Sequence, residues 1–504
     1  GGYSNVNDVS SYPGNHPDQH AIAFVPGNPT HVVDGHDGGL SYTSDITQQQ
    51  TAGNAVKWTS LDNGYMTTQF YAITMYNGKG DLRILGGAQD NGSPFFRASS
   101  GTASISSDIT SGDGGDAYLG KTFAYASTQN GSITRYVYAT SGDISQVGRV
   151  DVDPLSAKNQ LFITPYTIDP NSENVMYYAA GNALWRNTQM GSSTPRNYWG
   201  TGPVYSIPDT AMNITAMAVS NQPSHILYMG VSGSNTDSAR VYVMSNAVTD
   251  TTAKEISSKN FPVGGYITDI TVNPQNASEF IVVFSNYNVS SLFYTNDGGK
   301  TYSQVQGNLK GAFVSNEYIG PSVRSAAIVN TGDGKYFVVG TSVGLYMTTT
   351  LSGTNTIWTK QASNIIGDAL VTSLYSRPAD GWLAVGTHGR GVFLGEPNTP
   401  LPIENSPVAG LPTGFGLSQN YPNPFNPSTN IPFKLDQAAR VTLQVYDLTG
   451  RLVATLMDNA YHSAGNYNVR FQANQLASGT YFYRLIAITK DNQLTKTRKM
   501  TLIR

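Results

Sequence analysis

The stretch ITVNPQNASEFIVVFSNYNVSSLFYTNDGGK, residues 270–300, decides the fold. It reads as an apolar strand, a turn at Pro274, a second apolar strand, a polar turn, and a third strand ending in a Gly-rich turn. The same order returns in AIAFVPGNPTHVVDGHDGGLSYTSD from Ala21, TIDPNSENVMYYAAGNALWRNT from Thr167 and TAMAVSNQPSHILYMGVSG from Thr215. It returns again in AAIVNTGDGKYFVVGTSVGLYMTTT from Ala326 and SLYSRPADGWLAVGTHGRGVF from Ser373. Weaker copies start at Ala72 and Asp116. The first turns fall near Pro26, Tyr76, Pro170, Asn221, Pro274, Thr331 and Pro378. The period is roughly 50 residues, enough for four short strands, and the count is about eight units, alternatively seven. One such sheet cannot bury both faces, whereas radial stacking does. The expectation is therefore an all-β chain: a β-propeller of four-stranded blades over 1–395, followed by a smaller antiparallel β-sandwich.

Composition agrees. Of 504 residues, 52 are Gly, 25 Pro and 31 Tyr, and only 12% are charged, the profile of a turn-rich β protein. Lys and Arg number 30 against 33 Asp and Glu, so no basic field exists to hold nucleic acid. No apolar run is long enough for a membrane-spanning helix. The absence of Cys excludes disulfides, thiol catalysis and cysteine metal sites. The chain opens on Gly1 without a leader, which reads as a mature or trimmed form.

Thr295, Asn296, Asp297, Gly298, Gly299, Lys300, Thr301 and Tyr302 form a string that resembles the Asp-box of bacterial-neuraminidase-repeat and sortilin-like propellers. Thr295, Asp297, Gly299, Thr301 and Tyr302 are its structural residues. The carboxylate accepts backbone N–H groups, the glycines supply positive φ, and the aromatic tucks beneath. The box folds a blade and is not a catalytic site. The last repeat stops after three strands at Phe393-Leu394-Gly395, and the expectation is that residues 1–12 supply the missing outer strand. Alternatively, an N-terminal region has been removed or lies in another chain. Residues 396–412 read as a Pro-rich linker.

The segment 413–504 carries LSQNYPNPFNPSTNIPFKL from Leu417, VTLQVYDLTGRLVATL from Val441, LASGTYFYRL from Leu476 and a terminal KMTLIR. It resembles a type A C-terminal sorting domain of type IX secretion, the route of Bacteroidota-like bacteria. The motif residues are Asn420, Tyr421, Pro422, Asn423, Pro424, Phe425, Asn426, Pro427, Gly450, Gly479, Tyr481 and Lys499. The resemblance implies an extracellular or outer-surface address and the type IX machinery as partner. The alternation of Val441, Leu443, Val445 and of Tyr481, Tyr483, Leu485 independently reads as strands.

Chemistry is sparser. The loops expected on one propeller face hold His16, Asp18, His20, His36, Asp37, Asp90, Asn91, Asp113, Asp116, His388 and Arg390. In an extended strand His16, Asp18 and His20 point the same way. These strings are similar to recurring loops of secreted propellers that share no agreed activity. Turn and Asx roles are the favoured reading of these residues; a calcium or zinc site is the sharper one. A sialidase is disfavoured by the scarcity of Arg and the missing Phe-Arg-Ile-Pro start. A glycoside hydrolase with Asp37, Asp90 or Asp113 remains an alternative. The better expectation is a binding or structural module, partnered by glycans or by copies of itself in a filament or surface layer, with Tyr stacking on sugar rings. Thr210, Ser238 and Thr251 follow Asp in triplets that resemble the O-glycosylation sequon of these bacteria.

Overall fold

The computed structural model describes residues 15–16, 18–48, 56–61, 67–99, 102–311, 313–314, 317–318, 320–332, 334–363, 365–395, 415–420, 422–435, 437, 439–462, 465–473, 476–489 and 492–503. The chain divides into two compact units, 1–399 and 400–504. Every regular element longer than one short 3-10 turn is a strand.

Among the described residues unit 1 holds eight antiparallel meander sheets, besides a two-stranded hairpin of Phe313–Val314 and Glu317–Tyr318. Their first strands are Gln19–Val25, Phe70–Met75, Gly114–Leu119, Tyr166–Asp169, Asn213–Val219, Ile267–Asn273, Val323–Thr331 and Leu370–Ser376. Seven sheets have four strands and the eighth has three. Each starts within a few residues of a repeat, because the Pro, Asn and Gly turns end one strand and the next apolar run begins another.

Sheets two to eight pack face to face in chain order, and the eighth returns to the second. Each of the seven junctions has its own apolar cluster. Successive residues of a strand point to opposite faces, so a central strand feeds two junctions. Tyr177 thus joins the cluster toward the fifth sheet and Tyr178 the cluster toward the third. The closing junction uses Phe70, Ile73 and Met75 against Ala384. It adds the bonds Thr372 Oγ1 to Phe70 O at 2.7 Å and Ile73 N to Ser373 Oγ at 3.2 Å. The fully buried Arg377 donates to Asp380 of its own sheet at 2.6 Å and to the Asp81 carbonyl beside the second.

The eighth sheet meets the second directly, and the first repeat does not stand between them. The first sheet contributes no residue to any of the seven clusters among the described residues. Its links to the second run through loop tips, where Asn91 Nδ2 donates to Asp37 O at 3.2 Å and His16 Nε2 lies 3.2 Å from Asp90 O. Residues 1–12, expected as a closing strand, and the linker 396–412 lie outside the described residues.

In unit 2, strands Gly416–Leu417, Ser428–Leu435 and Gly465–Gln472 form one sheet. Leu452–His462, Ala439–Tyr446, Gly479–Ile488 and Gln493–Leu502 form a second. Strict alternation in Ala439–Tyr446 sends Val441, Leu443 and Val445 into a single core with Phe433, Tyr483 and Leu485. The Asn-Pro-rich entry is pinned to this core. Asn420 N donates to Tyr483 Oη at 2.8 Å, and Asn420 Nδ2 reaches the Pro422 carbonyl and Thr429 Oγ1. Phe425 is buried while Asn423, Pro424, Asn426 and Pro427 around it are exposed. Thr501 N donates to Asn423 Oδ1 at 2.8 Å, Gln419 Nε2 to the carbonyl of Lys499 at 2.7 Å, and Tyr481 Oη to Ala477 O at 2.8 Å. Gly450 takes φ 82° in the tight turn closed by Asp447. Tyr421 lies outside the described residues.

Candidate functional site

Five of the seven successive first strands carry one extra residue at the same place. Pairing with the second strand skips Tyr71, Thr215, Thr268, Arg324 and Thr372. In the third sheet the irregular pairing spans Gly115 and Asp116. A bulge breaks the alternation and re-aims the side chain. All five skipped residues, with Asp116, Tyr166 and Asp269, line one cavity of about 390 Å³ where the seven first strands converge. Each of the seven sheets contributes to its wall.

Polar side chains tie these strands together. Asp269 Oδ2 accepts Ser325 Oγ at 3.0 Å and Ala326 N at 2.8 Å. Ser325 Oγ in turn accepts Leu374 N at 3.2 Å, and Thr215 Oγ1 donates to Ile267 O at 2.7 Å. Tyr166 Oη donates to the Asp116 carbonyl at 3.0 Å, while the Asp116 carboxyl has no hydrogen-bond partner among the described residues. Burial pushes Asp116 up to about 7, and the charge of Asp269 adds to the rise. Asp269 is pushed up to about 6, because burial outweighs the bonds from Ala326 and Ser325. Arg324 Nε is buried without a partner. Burial first, then the Arg324 charge, hold His388 below the usual histidine range.

The residues expected to share a face are placed as follows. A second pocket of about 340 Å³ lies between the first sheet's hairpin tip and the second sheet, and His36, Asp37, Asp90 and Asn91 line it. His16 stacks on His36 with ring centroids 5.8 Å apart and approaches Asp18 at 3.7 Å. His20 Nε2 bonds Asp37 Oδ1, and Asp113 Oδ1 accepts Asp90 N at 3.2 Å. Burial, then the charges of Asp113 and Asp37, raise the Asp90 carboxyl. His16 and Asp18 precede the strand that begins at Gln19, and His20 is itself the bulged residue. The expected common direction of the three therefore has no strand to carry it. Asp116 faces the axial cavity instead. His388 pairs with Gln69, and Arg390 donates to Ile366 O at 3.0 Å. Among the described residues no group of three or more His, Asp or Glu side chains is placed to hold a metal ion, so calcium or zinc has no ligand set there.

Tyr71, Thr215, Thr268, Asp269, Arg324 and Thr372 escaped the sequence reading, since each looks like an ordinary strand residue. The signal that finds the bulged ones is their common place, five to seven residues before the first turn of the repeat.

The turn at Asp297 is built locally. Asp297 accepts Thr295 Oγ1 at 2.8 Å, the N–H groups of Lys300 and Thr301 at 3.0 Å, and Thr301 Oγ1 at 2.6 Å. These bonds hold its carboxyl down at about 2. Gly298 and Gly299 take φ 75° and 82°, and Tyr302 packs 5.0 Å from Phe261. Thr210, Ser238 and Thr251 are exposed.

Residues 419–502 match the secretion system C-terminal sorting domain family. The chain is thus exported by type IX secretion to the cell surface or extracellular space, and the sorting domain implies interaction with that machinery. Among the described residues no helix is long and apolar enough to cross a membrane. No curated protein matches the sequence. Among solved structures, a xyloglucanase from Xanthomonas campestris is 13% identical with a TM-score of 0.44, covering 75% of this chain and 50% of its own. The extracellular domain of a hybrid two component system from B. thetaiotaomicron is 12% identical with a TM-score of 0.44, covering 96% of this chain and 68% of its own. The computationally designed Ika8 protein is 14% identical with a TM-score of 0.39, covering 76% of this chain and 96% of its own.

Proposed function

We propose that this is a surface-delivered binding protein: a β-propeller of seven blades, built from sheets two to eight, that takes a polyhydroxylated ligand in its axial cavity. The observation that carries the reading is the repeated bulge, which aims one side chain from each of five blades into the same space. The hydroxyl of Thr268, which has no partner among the described residues, matches a sugar hydroxyl, and Tyr266, which is 41% exposed, offers a ring for stacking. In this reading the Asp297 turn is an Asp-box that holds its blade, and the exposed Thr210, Ser238 and Thr251 are glycosylation sites. The second pocket, lined by His36, Asp37, Asp90 and Asn91, serves as a joint between the first sheet and the propeller.

Calorimetric titration with neutral oligosaccharides tests it. Binding is expected, weakened about tenfold or more in Tyr266→Ala and Thr268→Val, equivalent to about 1.4 kcal/mol. Absence of binding, or binding indifferent to both changes, counts against the cavity. Deleting residues 415–504 is expected to leave the protein in the periplasm with its propeller intact. Surface display of that truncation would contradict the export route.

A polysaccharide hydrolase is the second reading, favoured by two carboxyls in the wall of one cavity, Asp116 and Asp269, both raised by burial. A pair of carboxyls of which burial raises at least one suits general acid and base roles. It predicts release of reducing ends that is lost in Asp116→Asn and in Asp269→Asn.

A further inference from the structure

We infer that the ligand of the axial cavity is an acidic sugar, a uronate-bearing glycan whose carboxylate sits on the Arg324 guanidinium. This rests on the binding reading above and names its ligand class.

Unit 1 contains ten arginines. Nine of them have a hydrogen bond or ion pair within the molecule. Arg324 is the remaining one, with no such partner among the described residues, and its Nε is buried with none. Arg324 is half-buried, with its Nε out of water and no anion beside it, and folded proteins pair such groups. The chain does not leave this position to chance: the bulge between Val323 and Ser325 turns Arg324 out of the paired strand and into the cavity wall. The charged or titratable groups that share the cavity do not neutralise it. Asp269 is engaged by Ser325 and Ala326, and neither it nor Asp116 forms an ion pair with Arg324 within 4.0 Å.

An unpaired, planar, five-donor cation in a cavity fits a carboxylate, which it binds through two parallel hydrogen bonds. The rest of the wall decides what carries that carboxylate. Thr268 offers a hydroxyl without a partner among the described residues, Tyr266 a ring, and Asp116 a carboxyl with free hydrogen-bonding capacity. Hydroxyl partners and a stacking face suit a pyranose ring better than an aliphatic acid or a peptide terminus.

The test uses the full chain at about 0.15 M salt, where non-specific charge effects are screened. Titrate a galacturonate oligosaccharide and the same oligosaccharide with its carboxyls reduced to alcohols, with inorganic sulfate and acetate as separate arms. The uronate form is expected to bind about tenfold tighter than the reduced form or better. Arg324→Gln should bring that ratio close to one, and Arg324→Lys, which keeps the charge and loses the fork, should retain only part of it. Thermal melting checks that both variants fold. Equal affinity of the two sugars in the unaltered protein overturns the uronate assignment and leaves glycan binding standing. A ratio that survives Arg324→Gln overturns the role of Arg324. Sulfate or acetate binding as tightly as the uronate reduces the cavity to a simple anion site and overturns the sugar. Binding of none of the sugars overturns the binding reading as well.

Discussion

The first and sixth sheets are built from the same repeat and live in different company. In both, an apolar first strand runs into a Pro-containing turn, and in both the residue at the same place is bulged out, His20 in one and Thr268 in the other. Yet Ile270 is buried at 3% exposure, while its counterpart Ile22, with Phe24 two residues on, stands at 60%. Sheet six is clamped between neighbours on both faces; among the described residues sheet one adjoins the second at loop tips. The repeat pattern therefore encodes a sheet, and membership in the closed succession is encoded elsewhere, in the residues of the junctions.

The junction between the eighth and second sheets is where that distinction is most sharply tested. Arg377 is fully exposed to protein and not at all to water, bonded to Asp380 and to the Tyr76 and Asp81 carbonyls. Arg377→Ala leaves Asp380 half-buried without its cation and the Tyr76 and Asp81 carbonyls without their donor, and is expected to cost about 3 kcal/mol in denaturant unfolding. The His20–Asp37 pair of the first sheet, with its histidine 67% exposed, should lose less than about 1 kcal/mol in His20→Ala. A loss below about 1 kcal/mol for Arg377→Ala would mean the succession does not close there.

Core truncation gives a contrast of comparable size. Phe280 is wholly buried, 4.4 Å from the Tyr228 ring, and Phe280→Ala should cost about 3–5 kcal/mol. Phe24→Ala should fall within about 0.5 kcal/mol, as an exposed position does. A large loss at Phe24 would show that the first sheet's face is covered in solution.

These contrasts mark how far the sequence could be read. Sheets were legible, since alternating apolar runs and Pro, Asn or Gly turns state their chemistry locally. The sorting segment was legible for the same reason: Asn420 and Phe425 act within a few residues or on one neighbouring strand. The separation of the first repeat was not, because Ala21 to Val25 alternates as a junction strand does and its burial depends on partners distant in sequence. Arg324 was missed because VRSAAIVN reads as a strand with a solvent-facing arginine. Only the skipped register turns it inward.

The axial acids should give a pH signature that the first sheet lacks. The folded-state values of Asp116 and Asp269 lie above the unfolded value of 3.8, so the folded state binds the proton more tightly. Their contribution favours folding below about 4 and is lost as pH rises through about 6 and 7. Asp116→Asn should flatten the upper part of that decline in chemical denaturation between pH 4 and 8. An unchanged slope would place Asp116 in water rather than in the cavity wall.

The smallest expected effect compares the two Thr-x-Asp turns. Among the described residues, Asp45 of the first sheet accepts Thr47 N at 3.0 Å and Thr47 Oγ1 at 2.6 Å. Asp297 of the sixth accepts from Thr295, Lys300 and Thr301. Both carboxyls are held below their ordinary value by those bonds, Asp297 at about 2. The sign is opposite to that of the axial acids. A depressed folded-state value contributes stability that is present above the unfolded value of 3.8 and lost as pH falls through about 2. Both turns are solvent-exposed, so screening keeps the effect modest. Melting curves between pH 2 and 5 should therefore show Asp297→Asn lowering the melting temperature near pH 5 and converging with the unaltered protein near pH 2. Asp45→Asn should follow the same course with a smaller amplitude, since it loses fewer bonds and its sheet stands outside the closed succession. Equal amplitudes would show that the local turn, rather than the company its sheet keeps, sets what the carboxylate contributes.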